Sequence, residues 1–136
     1  MMLSALLIVP GLGMGALLLV PKTQVRLIRG IAAAVTLLTL LIAAKLLLSY
    51  DARAVSMQFE EKLAWIPQLN AFYHLGVDGL SIAMVGLTAL LAFLACLASF
   101  GITERVKEYF VLYLLLEVGM LGTFLALDLF LFYIFW

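Results

Sequence analysis

Of the chain's 136 residues, 67% are hydrophobic and only 12% charged, and the mean hydropathy is +1.24. A soluble domain is about half apolar and about a quarter charged, and one this small has too much surface for its volume to hide such an excess, which excludes a water-soluble globular enzyme. Eight basic and eight acidic residues cancel to a net charge of zero, leaving no polybasic patch for nucleic acid, and the single cysteine, Cys96, excludes an internal disulfide framework or a clustered zinc site.

A hydrocarbon core of about 30 Å takes roughly 20 apolar residues as helix. The first predicted span runs from about Leu3 to Val20 and ends at Pro21. It has neither a basic n-region nor a small-residue cleavage site, so it reads as a retained span rather than a signal peptide. Gly11 and Gly15, four apart, are placed to let another helix pack close. The Gly-Leu-Gly-Met-Gly run lies inside a hydrophobic span with no strand before it, unlike a phosphate loop.

The second span covers about Ile28 to Tyr50 and carries Lys45 about five residues from its outer end. Its long stem can snorkel to the interface; a buried ion pair is the other reading, and a pairing with Glu117 fits in charge but not in depth. Residues 51–76 form the only soluble-looking stretch. There Met57, Phe59, Leu63 and Ile66 are spaced for a short amphipathic turn on the membrane surface, broken by Trp65 and Pro67. Trp65, Phe72 and Tyr73 are interfacial aromatics where the chain re-enters lipid, and His74 has no second ligand at metal spacing.

Asp78, between Gly76 and Gly79 and three residues before Ser81, predicts the cap of the third span, about Leu80 to Phe100. Cys96, within that span, reads as a small packing residue. The fourth span covers about Phe110 to Leu127, with Gly119 and Thr123 marking another close approach. Asp128 takes the same capping part for a fifth helix beginning at Leu129; for both aspartates the second reading is a place on a proton route. The remaining run, LFLFYIFW, rises only about 12 Å as helix and has no polar stop. The expectation is an amino-terminal piece of something longer: an all-α membrane protein, one transmembrane domain over residues 1–136, with four spans and the start of a fifth.

Basic residues in short connections set orientation. Lys22, Arg26 and Arg29 lie in the first, Arg105 and Lys107 in the third, and only Arg53 and Lys62 in the second. Placing the first and third on the cytoplasmic side puts five basic residues inside against two outside. The amino terminus and the 51–76 loop are then extracytoplasmic.

Glu117 sits eight residues into the fourth span, where an acid costs about 2.5 to 3.5 kcal/mol on insertion scales. It must face protein or trapped water. Tyr113, four residues earlier on the same face, is placed to hydrogen-bond it. One reading is a proton-relay or ion-pathway group; the other is a neutral carboxyl that ties this helix to a neighbour.

Two stretches resemble a known signature. Trp65-Ile66-Pro67 followed by Tyr73-His74-Leu75-Gly76-Val77-Asp78-Gly79-Leu80-Ser81 is similar to a motif before the third helix of the antiporter-like membrane subunits of proton-pumping NADH-quinone oxidoreductase (respiratory complex I). The run Leu125 to Trp136 resembles the opening of their fifth helix, and together the two are most similar to the subunit M branch. The resemblance implies a subunit of roughly fourteen helices with two inverted five-helix repeats, each containing a broken helix. It implies proton translocation driven by a quinone reaction elsewhere in the complex. No cofactor is implied on this chain: NADH, FMN, iron–sulfur clusters and quinone belong to partner subunits.

The implied partners are the other membrane-arm subunits of a hetero-oligomer, besides membrane lipid. The implied location is an energy-transducing membrane, first of all the bacterial plasma membrane. In that family the essential glutamate of the fifth helix directly follows a Phe-Trp pair, here Phe135-Trp136, and the lysines of the broken helices lie further on. The fourth span is the only complete repeat helix, and Glu117 lies on it. The alternatives are a homologous subunit of a cation/proton antiporter or membrane-bound hydrogenase, and a non-transporting membrane scaffold.

Overall fold

Apolar segments without water must satisfy their own backbone groups, and four of them here do so as helices long enough to cross a membrane. A computed structural model describes residues 2–136. The long helices are α1 (Met2–Leu19), α2 (Val25–Ser49), α3 (Gly79–Ala98) and α4 (Val106–Leu125), and the short α5 (Leu129–Phe135) follows. Helix α1 packs against α2 and most extensively against α4, while α3 packs against both α2 and α4. The architecture is a multi-pass helical bundle, as the composition requires.

The interior divides along the bundle axis. At one end Leu3, Leu6, Leu46, Val85, Leu121 and Leu125 form one apolar cluster; at the other, Leu17, Ile28, Ala32, Cys96, Phe110 and Leu114 form a second. The outward faces remain apolar, with Leu41, Leu91 and Leu116 more than half exposed. Such a surface is an error in water and a match for lipid tails.

The segment between α2 and α3 corrects the predicted amphipathic turn. Residues Gln58–Ile66 form strand β1 and Ala71–Val77 form strand β2, paired antiparallel with Leu63 opposite Tyr73 and Ala64 opposite Phe72. Four apolar residues spread over ten positions fit either period, so spacing alone cannot choose between helix and strand. The partner strand decides: Ala71–Val77 supplies the backbone donors and acceptors, and its Phe72 and Tyr73 favour a pleated, half-buried surface. Asn70, left-handed at φ 52°, closes the connection after a helical turn at Pro67–Leu69. A bulge at Phe59, with φ 56°, absorbs one extra residue in β1.

Helix contacts at glycine are also displaced from the expected positions. Gly11 and Gly15 face open space, whereas a Cβ on Gly13 would lie 2.6 Å from Val35 Cγ2 of α2. The close approach of α1 and α2 is therefore made at the glycine between the two that the spacing singles out. On α4, α5 folds back over Gly119 and its neighbour Gly122, where a Cβ would lie 2.3 Å from the Phe135 ring.

Gly13→Ala should lower the stability of the chain in detergent by about 1 to 3 kcal/mol, since a packed interface must open. Gly15→Ala, with nothing within reach, should change it by less than about 0.5 kcal/mol. Thermal unfolding of both variants compares them directly.

Candidate functional site

The buried face of α4 repeats as Val106, Phe110, Leu114, Glu117, Leu121 and Leu125. This periodicity turns one stripe of the helix inward and makes Glu117 a core residue by position. It is fully buried, about 16 Å along the helix from Val106, between Leu114 of one apolar cluster and Leu121 of the other. Both carboxyl oxygens lack a hydrogen-bond partner among the described residues. An unsatisfied buried polar group of this kind costs about 1 to 3 kcal/mol.

Tyr113 does not hydrogen-bond Glu117. Its hydroxyl donates to the Ala92 carbonyl of α3, because the helical twist that brings it near Glu117 also points it at the neighbouring helix. Among the described residues, Tyr113 and Cys96 are nonetheless titratable groups within electrostatic reach of Glu117. Thr36 lies beside Cys96, and its hydroxyl donates to Ala32 O at 2.9 Å. Thr39 donates to Val35 O at 3.0 Å. These hydroxyls spend their protons on backbone carbonyls and keep lone pairs free. The buried threonines carried no signal in the sequence, since either fits a span by composition. Lys45 is exposed on α2 and, among the described residues, makes no ion pair with Glu117.

A second polar arrangement lies at the hairpin end. Asp78 Oδ1 accepts from Leu80 N–H at 3.0 Å and Ser81 N–H at 2.8 Å, at the start of α3. Those donors, Ser81 first, hold the Asp78 carboxyl below its ordinary value. Gly79 is the first residue of α3. Asp128 Oδ1 accepts from Phe130 N–H and Leu131 N–H at the start of α5, while Oδ2 accepts from Phe72 N–H of β2 at 3.2 Å. The Phe72 contact leads in holding the Asp128 carboxyl low. Ala126–Asp128 thus runs as a strap on the hairpin: Ala126 bridges Leu75, and Leu127 N–H donates to His74 O at 2.9 Å.

Glu61 of β1 plays the third such part. Its carboxylate accepts from Leu3 N–H at 3.0 Å, from Ser4 N–H at 3.3 Å and from the Ser4 hydroxyl. The Ser4 hydroxyl also lies 3.0 Å from that of Tyr73. Sequence spacing cannot find a cap whose donors lie 57 residues away; the only local sign is an acid beside Glu60 in a sparsely charged chain.

Burial pushes the Glu61 carboxyl up, but favourable contacts, the Ser4 hydroxyl first among them, hold the group below its ordinary 4.5. A carboxyl lowered on folding contributes stability above its unfolded value and loses it as pH falls through the folded one. Hydrogen-exchange protection of the Leu3 and Ser4 amides should therefore be complete above about pH 5 and fall below it. In Glu61→Gln that protection should be weaker and insensitive to pH across this range.

No protein-family model matches the chain. It is 38% identical over 134 residues to NADH-ubiquinone oxidoreductase chain 4 of Arabidopsis thaliana, an alignment covering 98% of this chain and 27% of the relative. It is 45% identical over 105 residues to NADH-quinone oxidoreductase subunit M of Rhodobacter capsulatus, covering 77% and 20%. To NAD(P)H-quinone oxidoreductase chain 4 1 of Synechococcus sp. (strain JA-3-3Ab) it is 39% identical over 135 residues, covering 98% and 25%. The chain spans about a quarter of the length of the curated relatives it matches. Similarity that runs through all four spans, the hairpin and the strap places this chain in the family of NADH-quinone oxidoreductase subunit M, also named chain 4.

Proposed function

We propose that this chain takes part in proton translocation as a membrane-arm subunit of an NADH-quinone oxidoreductase. The similarity over 98% of its length to a subunit of that enzyme carries the reading. In it, the redox chemistry of NADH, FMN, iron–sulfur clusters and quinone belongs to partner subunits, and other membrane-arm subunits surround this one. The membrane is an energy-transducing one, such as the bacterial plasma membrane.

Glu117 is the residue of this chain best suited to hold a proton. A carboxyl exchanges one at an accessible free energy, and this one is buried with neither oxygen committed to a partner among the described residues. Cys96 and Tyr113 lie within its electrostatic reach, and Thr36 beside Cys96 adds a hydroxyl oxygen that can accept. A partner group or water brought to Glu117 would complete a relay at the middle of the bundle, where a pathway across the membrane must pass. Lys45, Asp78 and Asp128 have no contact with it among the described residues and take positioning or interfacial parts.

In the full-length subunit within its assembled complex, Glu117→Gln should cut the proton gradient formed per NADH oxidised by roughly ten-fold or more, the scale of losing a proton-transferring group. Glu117→Leu should cut it equally while stabilising the bundle by about 1 to 3 kcal/mol, because an orphaned acid is gone. Unchanged pumping in both variants would reduce Glu117 to packing.

We also infer that the amino terminus is extracytoplasmic. Lys22, Arg26, Arg29, Arg105 and Lys107 gather at one end of the bundle, as the contact of Lys22 with Glu108 at 2.7 Å and of Arg29 with Ile102 O at 2.8 Å demonstrate. The hairpin lies at the opposite end. The positive-inside rule puts the basic end in the cytoplasm. Ser56→Cys should then react with a membrane-impermeant thiol reagent from the outside of intact cells; reaction only in inverted vesicles would reverse the topology.

A further inference from the structure

We propose that the basic end of the bundle holds the headgroup of an anionic phospholipid, with the start of an acyl chain laid between the end of α1 and the first turns of α4. This site is independent of proton translocation. A cavity of about 430 Å³ is lined by Lys22, Thr103, Arg105, Lys107 and Glu108, so three cations face it against one carboxylate. An adjoining groove of about 400 Å³ shares Lys22, Lys107 and Glu108 and continues over Leu18, Val111 and Leu112. Leu18 and Leu112 are 56% and 62% exposed. A charged cup opening onto an apolar channel at the end of membrane spans has the two halves of a phospholipid in the right order.

The donors are in place. Lys22 Nζ lies 2.7 Å from Glu108 Oε1, and Lys107 Nζ donates to Leu18 O at 2.9 Å. Each ammonium has three donors, so each keeps two for a phosphate oxygen. Arg105, exposed and left-handed at φ 48°, precedes α4 without a side-chain cap. The free N–H groups of Val106 and Lys107 therefore add their partial positive charge at the cavity wall. Glu108 opposes an anion, and its hold on Lys22 sets how strongly the site binds. The apolar groove selects lipid over a soluble phosphate, and the excess of cations selects an anionic headgroup over a zwitterionic one.

The test uses the full-length protein in phosphatidylcholine vesicles doped with a photoactivatable phosphatidylglycerol. Cross-links are expected on peptides containing Leu18, Lys22 and Leu112. Lys22→Gln and Arg105→Asn, the latter chosen because asparagine tolerates the left-handed backbone, should each reduce labelling about five-fold. Glu108→Gln, which frees Lys22, should increase it. Equal labelling of these peptides by a photoactivatable phosphatidylcholine, or labelling indifferent to all three variants, would overturn the site. Abolition of labelling by excess inorganic phosphate would overturn the lipid and leave a soluble-anion pocket.

Discussion

The first N–H groups of a helix have no partner within it, and inside a membrane protein they cannot turn freely to water. At the hairpin end of this bundle three carboxylates meet that need: Glu61 at α1, Asp78 at α3 and Asp128 at α5. At the opposite end, cations meet carbonyls at the helix ends, Lys107 at Leu18 O in the last turn of α1 and Arg29 at Ile102 O just beyond α3. Helices α1 and α3 thus run from acid to base, each dipole flanked by charges of the favourable sign. The same arrangement gives the bundle its basic end. Satisfaction of the helix termini and the orientation proposed above therefore rest on one distribution of charge.

Against this ordering of polar groups at the ends, Glu117 is an exception held at the middle. Its neighbours on the buried stripe are leucines, and either leucine or methionine would pack there without an unsatisfied acid. Local choices that break the rule of buried polar satisfaction without compensation concentrate at functional sites. The part in proton translocation proposed above would give that break a chemistry to serve.

Much of this was legible in the sequence where the physics is local. Apolar runs long enough to cross a bilayer announce the four spans, and an acid among them announces Glu117. A capping aspartate finds its donors two and three residues on, so Asp78 and Asp128 stand out beside their helices. What was not legible depends on distant partners. The hairpin needs Ala71–Val77 beside Gln58–Ile66 to favour strand over turn. Glu61 finds Ser4 only when the hairpin docks on α1. Tyr113 is four residues from Glu117, yet its hydroxyl is taken by Ala92 of another helix. The glycine spacing in α1 gave the right helix and the wrong residue, because the crossing centres on Gly13.

The strap has a further implication for how the molecule comes into being. Phe72 and Asp128, joined by a hydrogen bond, are 56 residues apart. At a synthesis rate of about 5 to 20 residues per second, the hairpin leaves the ribosome roughly 3 to 11 s before the strap that lies on it. Two paired strands form on the order of microseconds, but alone they are marginally stable, so the hairpin has time to pair and needs its docking on α1 and the strap to persist. The later-made Ala126–Asp128 docks on its edge, and those contacts mark where α4 stops and α5 begins. The order of synthesis thus makes the strap the last piece added to this end of the fold.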